Sequence, residues 1–557
     1  MNNNDESIEK DKKQLINSSK ENPIGTVFNI ESLIFNISIF LTFEEKKALY
    51  SVNKKLNSFI RTYINEIKFK KLRNSPEILK RFPNLKKLEV FGGKSANLNI
   101  LKQKEMQNLE NLTIRYFTVD EDLSLAISGL TELKSLVLIS NEIIDIAFIK
   151  KLKNLTYLDL GNNKLNNVDI LIQLPNLRSL SLQQCGLTNL HILNHKNFQC
   201  LEKLYIGMNK IIDYSFLENL VNLNTLNVYH NNLHSTEFLD FLSSKNIIEL
   251  NVSENQISNF YPNLKLKNLK KLFINNNNKI ANIDFLNDKY LSNLEVLDLG
   301  NNIYIENFLP LTNLKKLKKI NLFNCSLNKI NFFQKENCEI IEKLELGHNN
   351  EIEDYSFLSF FNNLEYLNLN YNKIADFDWL NNCQFFDKIS ELDLGKNTLN
   401  SIKFLKNFKN LKVLALFECL IEDISFLNFE NFANLEKLNL CTNIIKDASP
   451  IKNLKKLKIL KLNKNLIKDI KFLDTGDLII EELNLESNYI KDISSLLKLE
   501  YLEIINIEKQ DLEFNEKEII AFIKTAKLIE KKVRKCHFRN QYRIPLDSYE
   551  TQLSLLK

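Results

Sequence analysis

Apolar residues recur along most of the chain in one eleven-residue pattern, Leu-x-x-Leu-x-Leu-x-x-Asn-x-Leu, in which x is mostly polar. Residues 155–165 are a clear copy, and residues 435–445 are another. We count sixteen copies at spacings of 22 to 25 residues, starting at Leu133, Leu155, Leu177, Leu201, Leu223, Ile247, Leu269, Leu294, Leu317, Ile341, Leu364, Ile389, Leu411, Leu435, Leu457 and Ile480. A period of this length predicts a solenoid in which each copy stacks on the next.

The apolar spacing predicts one short strand in each copy. Positions 4 and 6 alternate along such a strand and point to the same side, and positions 1 and 11 complete that apolar layer. One copy cannot bury this layer alone, whereas stacked copies can. We therefore expect an α/β solenoid with a parallel sheet along one face.

Position 9 predicts a ladder of buried side chains. Cysteine takes this position in three copies, as Cys185, Cys325 and Cys419, and asparagine in the other thirteen. A turn inside a coil leaves backbone groups without water, and an amide that both donates and accepts can bond successive turns. The small thiols tolerate burial, so we assign both residue types a structural role.

Together these residues resemble the leucine-rich repeat family. The resemblance implies a horseshoe with the parallel sheet on its concave face. After position 9, copies such as residues 421–427 and 467–473 continue as Ile-x-Asp-Ile-x-Phe-Leu, which is similar to the short subclass of about 22 residues, with 3₁₀ turns on the convex face. Each aspartate is expected to cap its own turn. One carboxylate per copy cannot supply six oxygen ligands, so no metal site is predicted.

The segment before the array has a different pattern. Residues 1–22 are polar and predicted to be disordered, whereas apolar residues between 24 and 63 follow a helical period. Residues 28–60 resemble an F-box, although no proline stands at the motif's usual position and Leu56 replaces the frequent tryptophan. The matching positions implied to bind an adaptor are Leu33, Ile37, Leu41, Val52 and Leu56. The alternative is a helical module over residues 24–71 that only caps the first repeat.

The remaining domain boundaries are placed where the eleven-residue pattern weakens. Residues 72–130 are predicted to hold degenerate leading repeats, and residues 131–509 the array proper. Residues 510–557 are predicted to form a helical cap with a basic tail that includes Lys535. These cations suit a helix C-terminus; a localisation or phosphate-binding signal is the alternative.

Composition narrows the class of protein. The chain has 74 basic and 69 acidic residues and a net charge of +5, a mixed balance that does not indicate nucleic-acid binding. The most apolar run, residues 32–41, is too short to span a bilayer, and no signal peptide precedes it. Eight cysteines without paired spacing favour a reducing, intracellular compartment.

No catalytic motif is present, so we expect neither an enzyme nor a cofactor. Positions 3, 5, 7 and 8 should face the concave side, where aromatic residues fall into two groups. The first group is Tyr205, Tyr229, His230 and Phe273. The second is Phe323, His348, Tyr366, Tyr371 and Phe417. Either these rings are binding hot spots or they are scattered exposed apolar residues of the ordinary kind.

The favoured function is recognition of a target protein by a monomer. The F-box resemblance implies that the front module binds the Skp-type adaptor of a cullin–RING ubiquitin ligase, while the concave face holds the protein to be ubiquitylated. The alternative is a scaffold similar to phosphatase-regulating repeat proteins. The composition, heavy in asparagine, lysine and isoleucine, also fits a bacterial effector that acts in a host cytoplasm.

Overall fold

The computed structural model describes residues 66–69, 84–92, 98–242, 246–260, 266–510, 521–522, 524–529, 533 and 535–537. The chain divides into two compact units between Asn231 and Asn232. Unit 1 is the N-terminal part and unit 2 the C-terminal part. The predicted disordered tail, most of the helical module and the five adaptor-binding residues lie outside the described residues.

Unit 1 is a stack of parallel strands. Its strands are β1 (Glu66–Phe69), β2 (Lys87–Phe91), β3 (Asn111–Arg115), β4 (Ser135–Ile139), β5 (Tyr157–Asp159), β6 (Ser179–Ser181), β7 (Lys203–Tyr205) and β8 (Thr225–Asn227). Each strand pairs in parallel with the next. The register places equivalent positions opposite each other, as with Leu158 and Leu180.

Short helices make the other face of unit 1. In the described part of unit 1, the α-helix α1 (Glu121–Ser128) is capped by the Asp120 carboxylate, which accepts from the Leu123 N–H. The 3₁₀ helices are Asn99–Lys102, Lys104–Met106, Ala147–Lys151, Asp169–Gln173, His191–Asn194, Lys196–Phe198 and Ser215–Asn219.

Unit 2 continues the same architecture. Its strands are β9 (Glu249–Asn251), β10 (Lys271–Phe273), β11 (Val296–Asp298), β12 (Lys319–Asn321), β13 (Lys343–Glu345), β14 (Tyr366–Asn368), β15 (Glu391–Asp393), β16 (Val413–Ala415), β17 (Lys437–Asn439), β18 (Ile459–Lys461), β19 (Glu482–Asn484), β20 (Ile504–Asn506) and β21 (Lys535–His537). Each strand again pairs in parallel with the next.

The other face of unit 2 is again made of short turns. It contains one four-residue α-helix, α2 (Lys335–Cys338). The 3₁₀ helices are Glu237–Leu242, Asp284–Asn287, Lys289–Leu291, Leu309–Asn313, Ser356–Phe360, Asp378–Asn382, Phe385–Asp387, Lys403–Asn407, Ser425–Asn428, Glu430–Phe432, Ser449–Asn453, Lys471–Thr475 and Ser494–Lys498. The predicted solenoid, with strands on one face and 3₁₀ turns on the other, is confirmed.

The buried ladder is confirmed in detail. Asn163 lies in the interior, where its Oδ1 accepts from the N–H groups of Asn141 and Ile143 at 3.0 Å. Its Nδ2 donates to the carbonyls of Leu138 and Leu160 at 2.8 and 2.7 Å. One amide thus joins two successive repeats and satisfies backbone groups that water cannot reach. Where cysteine replaces asparagine, the Cys185 thiol donates to the Leu160 carbonyl at 3.2 Å.

The aspartates after the ladder cap their turns as predicted. The Ala147 N–H donates to Asp145 Oδ1 at 2.9 Å. The equivalent bond recurs at the other seven aspartates of this column, Asp213, Asp354, Asp376, Asp423, Asp447, Asp469 and Asp492. These carboxylates hold backbone N–H groups at the start of 3₁₀ turns. Among the described residues, no group of three His, Cys, Asp or Glu side chains could hold a metal ion.

The ends of the array differ from the sequence interpretation. The sequence predicts that Glu66–Phe69 belong to the helical module, but these residues form strand β1, because they pair along their length with β2. Near the other end, a further copy of the eleven-residue pattern begins at Leu502. Gln510 takes its ladder position, where the Gln510 Oε1 accepts from the Ile490 N–H at 3.0 Å. Glutamine carries the same amide as asparagine on a longer side chain, so it fills the same role.

The last described residues include part of the predicted helical cap, but the segment after it is a strand and not a helical tail. Residues 521–522 and 524–529 are helical, and Phe522, Ala526 and Ile529 are buried. Lys535 was predicted to belong to the basic tail of this helix. It instead begins β21, opposite Ile504 of β20, because the sheet edge offers backbone partners to an extended segment. In the part of the chain that the structure describes, no helix is both long and apolar enough to cross a membrane.

Candidate protein-binding face

Each repeat presents four positions on the sheet side. In the repeat that starts at Ile341, these are Lys343 and Glu345 on β13, followed by Gly347 and His348. His348 has a φ of 60°. A residue at position 8 adopts this left-handed conformation in repeat after repeat, for example Asn162, Met208 and Lys464. The chain therefore turns at the end of every strand in the same way, and the side chains at position 8 form a column beside the sheet.

Position 5 closes that turn, a role that the sequence analysis did not identify. The carboxylate or amide at position 5 accepts from the N–H of position 7. Asp159 Oδ1 lies 2.9 Å from the Gly161 nitrogen, and Asn321 Oδ1 lies 2.9 Å from the Phe323 nitrogen. Asp or Asn recurs at position 5, two residues before position 7. This is the spacing of an Asx turn, so the sequence does contain a signal for this hydrogen bond.

Four aromatic rings of unit 2 lie in contact beside the strands. The ring centroids of Phe323 and His348 are 5.8 Å apart, those of His348 and Tyr371 5.5 Å, and those of Tyr371 and Phe417 6.0 Å. These distances are typical of interacting aromatic pairs. We call these four residues the aromatic row. Sequence reasoning named all four, and the structure brings them together.

A cation covers part of the aromatic row. The Lys396 Nζ lies 4.4 Å from the centroid of the Tyr371 ring, which is within cation–π range. The same ammonium lies 3.2 Å from a carboxylate oxygen of Glu418. His348 is exposed, whereas Phe323, Tyr371 and Phe417 are half-buried. The row thus offers ring edges and faces to solvent from fixed positions.

Glycines at position 7 make room for rings from the following repeat. A Cβ on Gly395 would lie 2.1 Å from the Phe417 ring, which is shorter than any real contact. In unit 1, a Cβ on Gly207 would lie 2.1 Å from the Tyr229 ring. Each of these rings therefore occupies the space that a side chain at the glycine of the preceding repeat would fill, and its position depends on the missing side chain.

Tyr366, the fifth residue of the second predicted group, lies apart from the aromatic row. It lines a depression of about 250 Å³ on the sheet face of unit 2, together with Phe273, Asp298, Lys319, Glu345 and Glu391, among others. We call this cavity the depression. The Tyr366 hydroxyl donates to Glu345 Oε2 at 2.7 Å. The sequence analysis missed the depression because its walls come from positions 3 and 5 of six different strands.

Two carboxyl groups at the depression are shielded from water. Burial raises the pKa of Asp298 and of Glu345. Hydrogen bonds act in the opposite direction: the Gly300 N–H donates to Asp298 at 3.0 Å, and the Gly347 N–H donates to Glu345 at 3.1 Å. The burial effect is the larger in both cases.

The first predicted aromatic group is divided between the units. Tyr205, Tyr229 and His230 belong to unit 1, where Tyr205 and Tyr229 are half-buried and His230 is exposed. Phe273 belongs to unit 2, where it lines the depression with Tyr366. The structure therefore groups Phe273 with the second predicted set.

The three thiols of the ladder are structural. Cys185, Cys325 and Cys419 are buried and free. Burial raises their pKa to about 12, about 12 and about 11, so they remain protonated near neutral pH and donate to backbone carbonyls. They supply no nucleophile.

Comparison with known proteins places a family pattern inside unit 1. Residues 131–173 match the family model described as leucine-rich repeats in two copies. Residues 131–173 therefore carry two leucine-rich repeats. The matched segment includes β4, β5 and the ladder residues Asn141 and Asn163, which are the features that the remaining repeats reproduce.

Solved structures with leucine-rich repeats resemble the chain at low identity. An internalin from Listeria monocytogenes is 24% identical, with 70% of this chain and 89% of that chain covered and a TM-score of 0.34. A leucine-rich-repeat protein from Leptospira interrogans is 23% identical, with 78% and 99% covered and a TM-score of 0.42.

A third similar structure is the ectodomain of a plant membrane receptor kinase from Arabidopsis thaliana, in complex with Casparian strip integrity factor 2. It is 18% identical, with 87% of this chain and 80% of that chain covered and a TM-score of 0.35. No curated protein sequence matches the chain. A function therefore has to be derived from the chain's own side chains.

Proposed function

We propose that the sheet face of unit 2 binds a target protein. Leucine-rich repeats are in general protein-interaction modules and not enzymes, and this chain supplies a face with fixed aromatic side chains. The observation that carries the proposal is the aromatic row, in which four rings from four repeats touch in sequence. Clustered, partly exposed aromatic residues beside polar neighbours are the usual composition of binding hot spots.

The repeat pattern provides a variant that keeps the scaffold. Phe417 is at position 7, where the repeat from Leu177 carries Gln183, and Tyr371 is at position 8, where the repeat from Leu457 carries Lys464. The double variant Tyr371→Lys with Phe417→Gln therefore places in the row side chains that other repeats already hold there. We call it the row variant.

Unit 1 provides the matched control. Tyr229 and His230 occupy the same two positions, so Tyr229→Gln with His230→Lys makes a comparable change on the other unit. We call it the unit 1 variant. Peptides selected from a random library on the full chain should bind the unit 1 variant as they bind the wild type. They should bind the row variant at least about tenfold more weakly, as measured by fluorescence anisotropy. Equal binding to all three proteins would refute the proposal.

We also propose that residues 28–60 bind a Skp-type adaptor and deliver the bound target to a cullin–RING ubiquitin ligase. This proposal rests only on the sequence resemblance at Leu33, Ile37, Leu41, Val52 and Leu56. In a host-associated bacterium the same chain would act as an effector in the host cytoplasm. The competing proposal is a scaffold without a link to ubiquitin, in which this segment only caps the repeats.

Binding of the adaptor is tested with the full chain. Purified Skp-type adaptor should bind the wild type with micromolar or tighter affinity, and Val52→Asp with Leu56→Asp should abolish that binding. Circular dichroism of the double variant, compared with the wild type, checks that the repeats remain folded. Absence of binding by the folded wild type would leave the scaffold as the remaining function.

A further inference from the structure

Two carboxylates that line the depression have no cationic partner among the residues that the structure describes. Asp298 bonds to the Gly300 N–H at 3.0 Å, and Glu345 bonds to the Tyr366 hydroxyl at 2.7 Å and to the Asn368 amide at 2.9 Å. Within the described chain, no lysine or arginine forms an ion pair with either carboxylate. Other carboxylates differ: Glu110, which directly precedes β3 in unit 1, pairs with two lysines at 2.6 and 2.8 Å.

Burial and the lack of a cationic partner distinguish Asp298 and Glu345 from exposed carboxylates that pair with lysines. Both carboxyls lie where burial opposes ionisation, and only neutral groups donate hydrogen bonds to them. A carboxylate that has lost water without gaining a cation is destabilised. A cation that enters the depression would therefore gain more from these groups than from an exposed carboxylate, because the local dielectric constant is lower.

The walls suit the same kind of ligand. The rings of Phe273 and Tyr366 line the depression, and an aromatic face attracts cations. The chain itself places an ammonium near one of them, since Lys343 Nζ lies 5.9 Å from the Tyr366 ring centroid. The volume of about 250 Å³ is below the roughly 300–1,000 Å³ of small-molecule pockets, so the depression is sized for a single side chain.

The charges around the depression favour a cation over an anion. Three carboxylates line it, from Asp298, Glu345 and Glu391, against the ammonium groups of Lys319 and Lys343. Lys319 is exposed, and neither Lys319 nor Lys343 forms an ion pair with Asp298 or Glu345. An entering anion would lie against two shielded negative charges, which is costly.

We infer that the depression receives a lysine or arginine side chain of the bound target, beside the aromatic row. This inference rests on the proposed function, because it names the chemistry that the same face recognises. The aromatic row would supply apolar contact, and the depression would select for a basic residue at one position of the target.

The repeat pattern supplies conservative variants for the test. Asparagine occupies position 5 in several repeats and caps the same turn, as Asn321 and Asn439 do, so Asp298→Asn removes a charge without removing the cap. Combined with Glu345→Gln, it makes the depression variant. Asp159→Asn is the matched control, since Asp159 caps Gly161 in unit 1 in the same way.

The experiment extends the peptide selection on the full chain. Peptides that bind the wild type should carry lysine or arginine at one fixed position relative to their apolar residues. The depression variant should bind them about tenfold or more weakly, whereas Asp159→Asn should bind them as the wild type does. Replacing the peptide's basic residue by glutamine should cost about as much on the wild type and little on the depression variant, which identifies the pairing.

The outcomes separate this inference from the proposed function. Peptides that depend on the aromatic row but lack a fixed basic residue, or bind the depression variant unchanged, would overturn the inference and leave the proposed function standing. Peptides with an acidic residue at the fixed position would also overturn it. A selection that returns no peptide dependent on the aromatic row would overturn both.

Discussion

Strands β4–β8 of unit 1 and β11–β15 of unit 2 have interiors of the same kind but differ on their surfaces. Positions 3 and 5 of five strands give ten side chains in each region. In unit 1 two of the ten are charged, Asp159 and Lys203, and small hydroxyl residues such as Ser179 and Ser181 are common. In unit 2 six of the ten are charged, namely Asp298, Lys319, Lys343, Glu345, Glu391 and Asp393. In this comparison, the many charged side chains and the depression therefore both belong to the sheet face of unit 2.

The interior explains how such a difference arises without a change of fold. Leu158 lies opposite Leu180 in unit 1, and Leu344 lies opposite Leu367 in unit 2, with the same parallel register. The ladder below the strands is also alike in both units, with Asn163 and Asn349 making the same set of bonds. Because stability comes from these inward positions, the outward positions are free to take on different chemistry.

The largest effect is expected in the shared ladder. Asn349→Ala removes two bonds accepted from the N–H groups of Cys325 and Leu327 and leaves the buried Leu322 carbonyl without its amide donor. Unsatisfied buried groups cost roughly 1–3 kcal/mol each, so we expect a loss of about 3 kcal/mol or more in urea denaturation followed by circular dichroism. Asn163→Ala should lose a similar amount.

The exposed neighbour Asn350 provides the control for this prediction. Asn350→Ala should change stability by less than about 0.5 kcal/mol. A clear difference between Asn163→Ala and Asn349→Ala would show that the two interiors are not equivalent, and the comparison between the units would then need another basis.

The glycines beneath the aromatic rings should give an intermediate effect. Gly395→Ala forces a Cβ into the Phe417 ring and Gly207→Ala into the Tyr229 ring, and overpacking of this kind costs about 1–3 kcal/mol. At Gly161 an added Cβ would lie 3.1 Å from the Asp159 carboxylate, so Gly161→Ala should cost less. Thermal denaturation measures all three changes.

Binding separates two of these glycine variants. Gly395→Ala displaces a ring of the aromatic row and should weaken the selected peptides, whereas Gly207→Ala should leave their affinity unchanged. Loss of binding in Gly207→Ala at normal stability would assign the binding face to unit 1 instead.

The smallest effect is a difference in pH dependence. Burial raises the pKa of Asp298 above its ordinary value of 3.8, so its favourable contribution is fully present below that value and is lost as pH rises through the folded pKa. Two lysines lower the pKa of Glu110 from 4.5 to about 2, so its contribution is present above pH 4.5 and is lost as pH falls towards 2.

Single variants make these opposite signs measurable. The stability of Asp298→Asn relative to the wild type should increase as pH rises from 3 to 7. The stability of Glu110→Gln relative to the wild type should increase as pH falls over the same range. Denaturation at a series of pH values measures both, and slopes of the same sign would contradict the assignment of one shielded and one paired carboxylate.

The sequence predicted most of what depends on neighbouring positions within one repeat. The ladder residues, the strand positions and the turn caps at Asp145 and Asp423 follow from spacing along the chain, because each interaction recurs with every copy. The aromatic row was also within reach, since Phe323, His348, Tyr371 and Phe417 occupy positions 7 and 8, which project to the same side.

Features that combine different positions from several repeats were missed. The depression gathers Phe273, Glu345 and Tyr366 from separate strands, and nothing in one repeat marks these positions as neighbours across the sheet. The strands at Glu66–Phe69 and Lys535–His537 were missed for a related reason. Their sequences lack the eleven-residue pattern. They form strands because the neighbouring strand at the sheet edge supplies backbone hydrogen-bond partners.

The left-handed residue at position 8 has a consequence for how this chain can change over time. The turn accepts Asn162, His348, Tyr371, Lys464 and Ser487 with φ values between 55° and 60°, so the same left-handed turn forms with several different side chains. Copying a repeat carries the turn with it, and a later point mutation at position 8 alters only what faces outward. The column is thus a site where new specificity can evolve one residue at a time without a new fold.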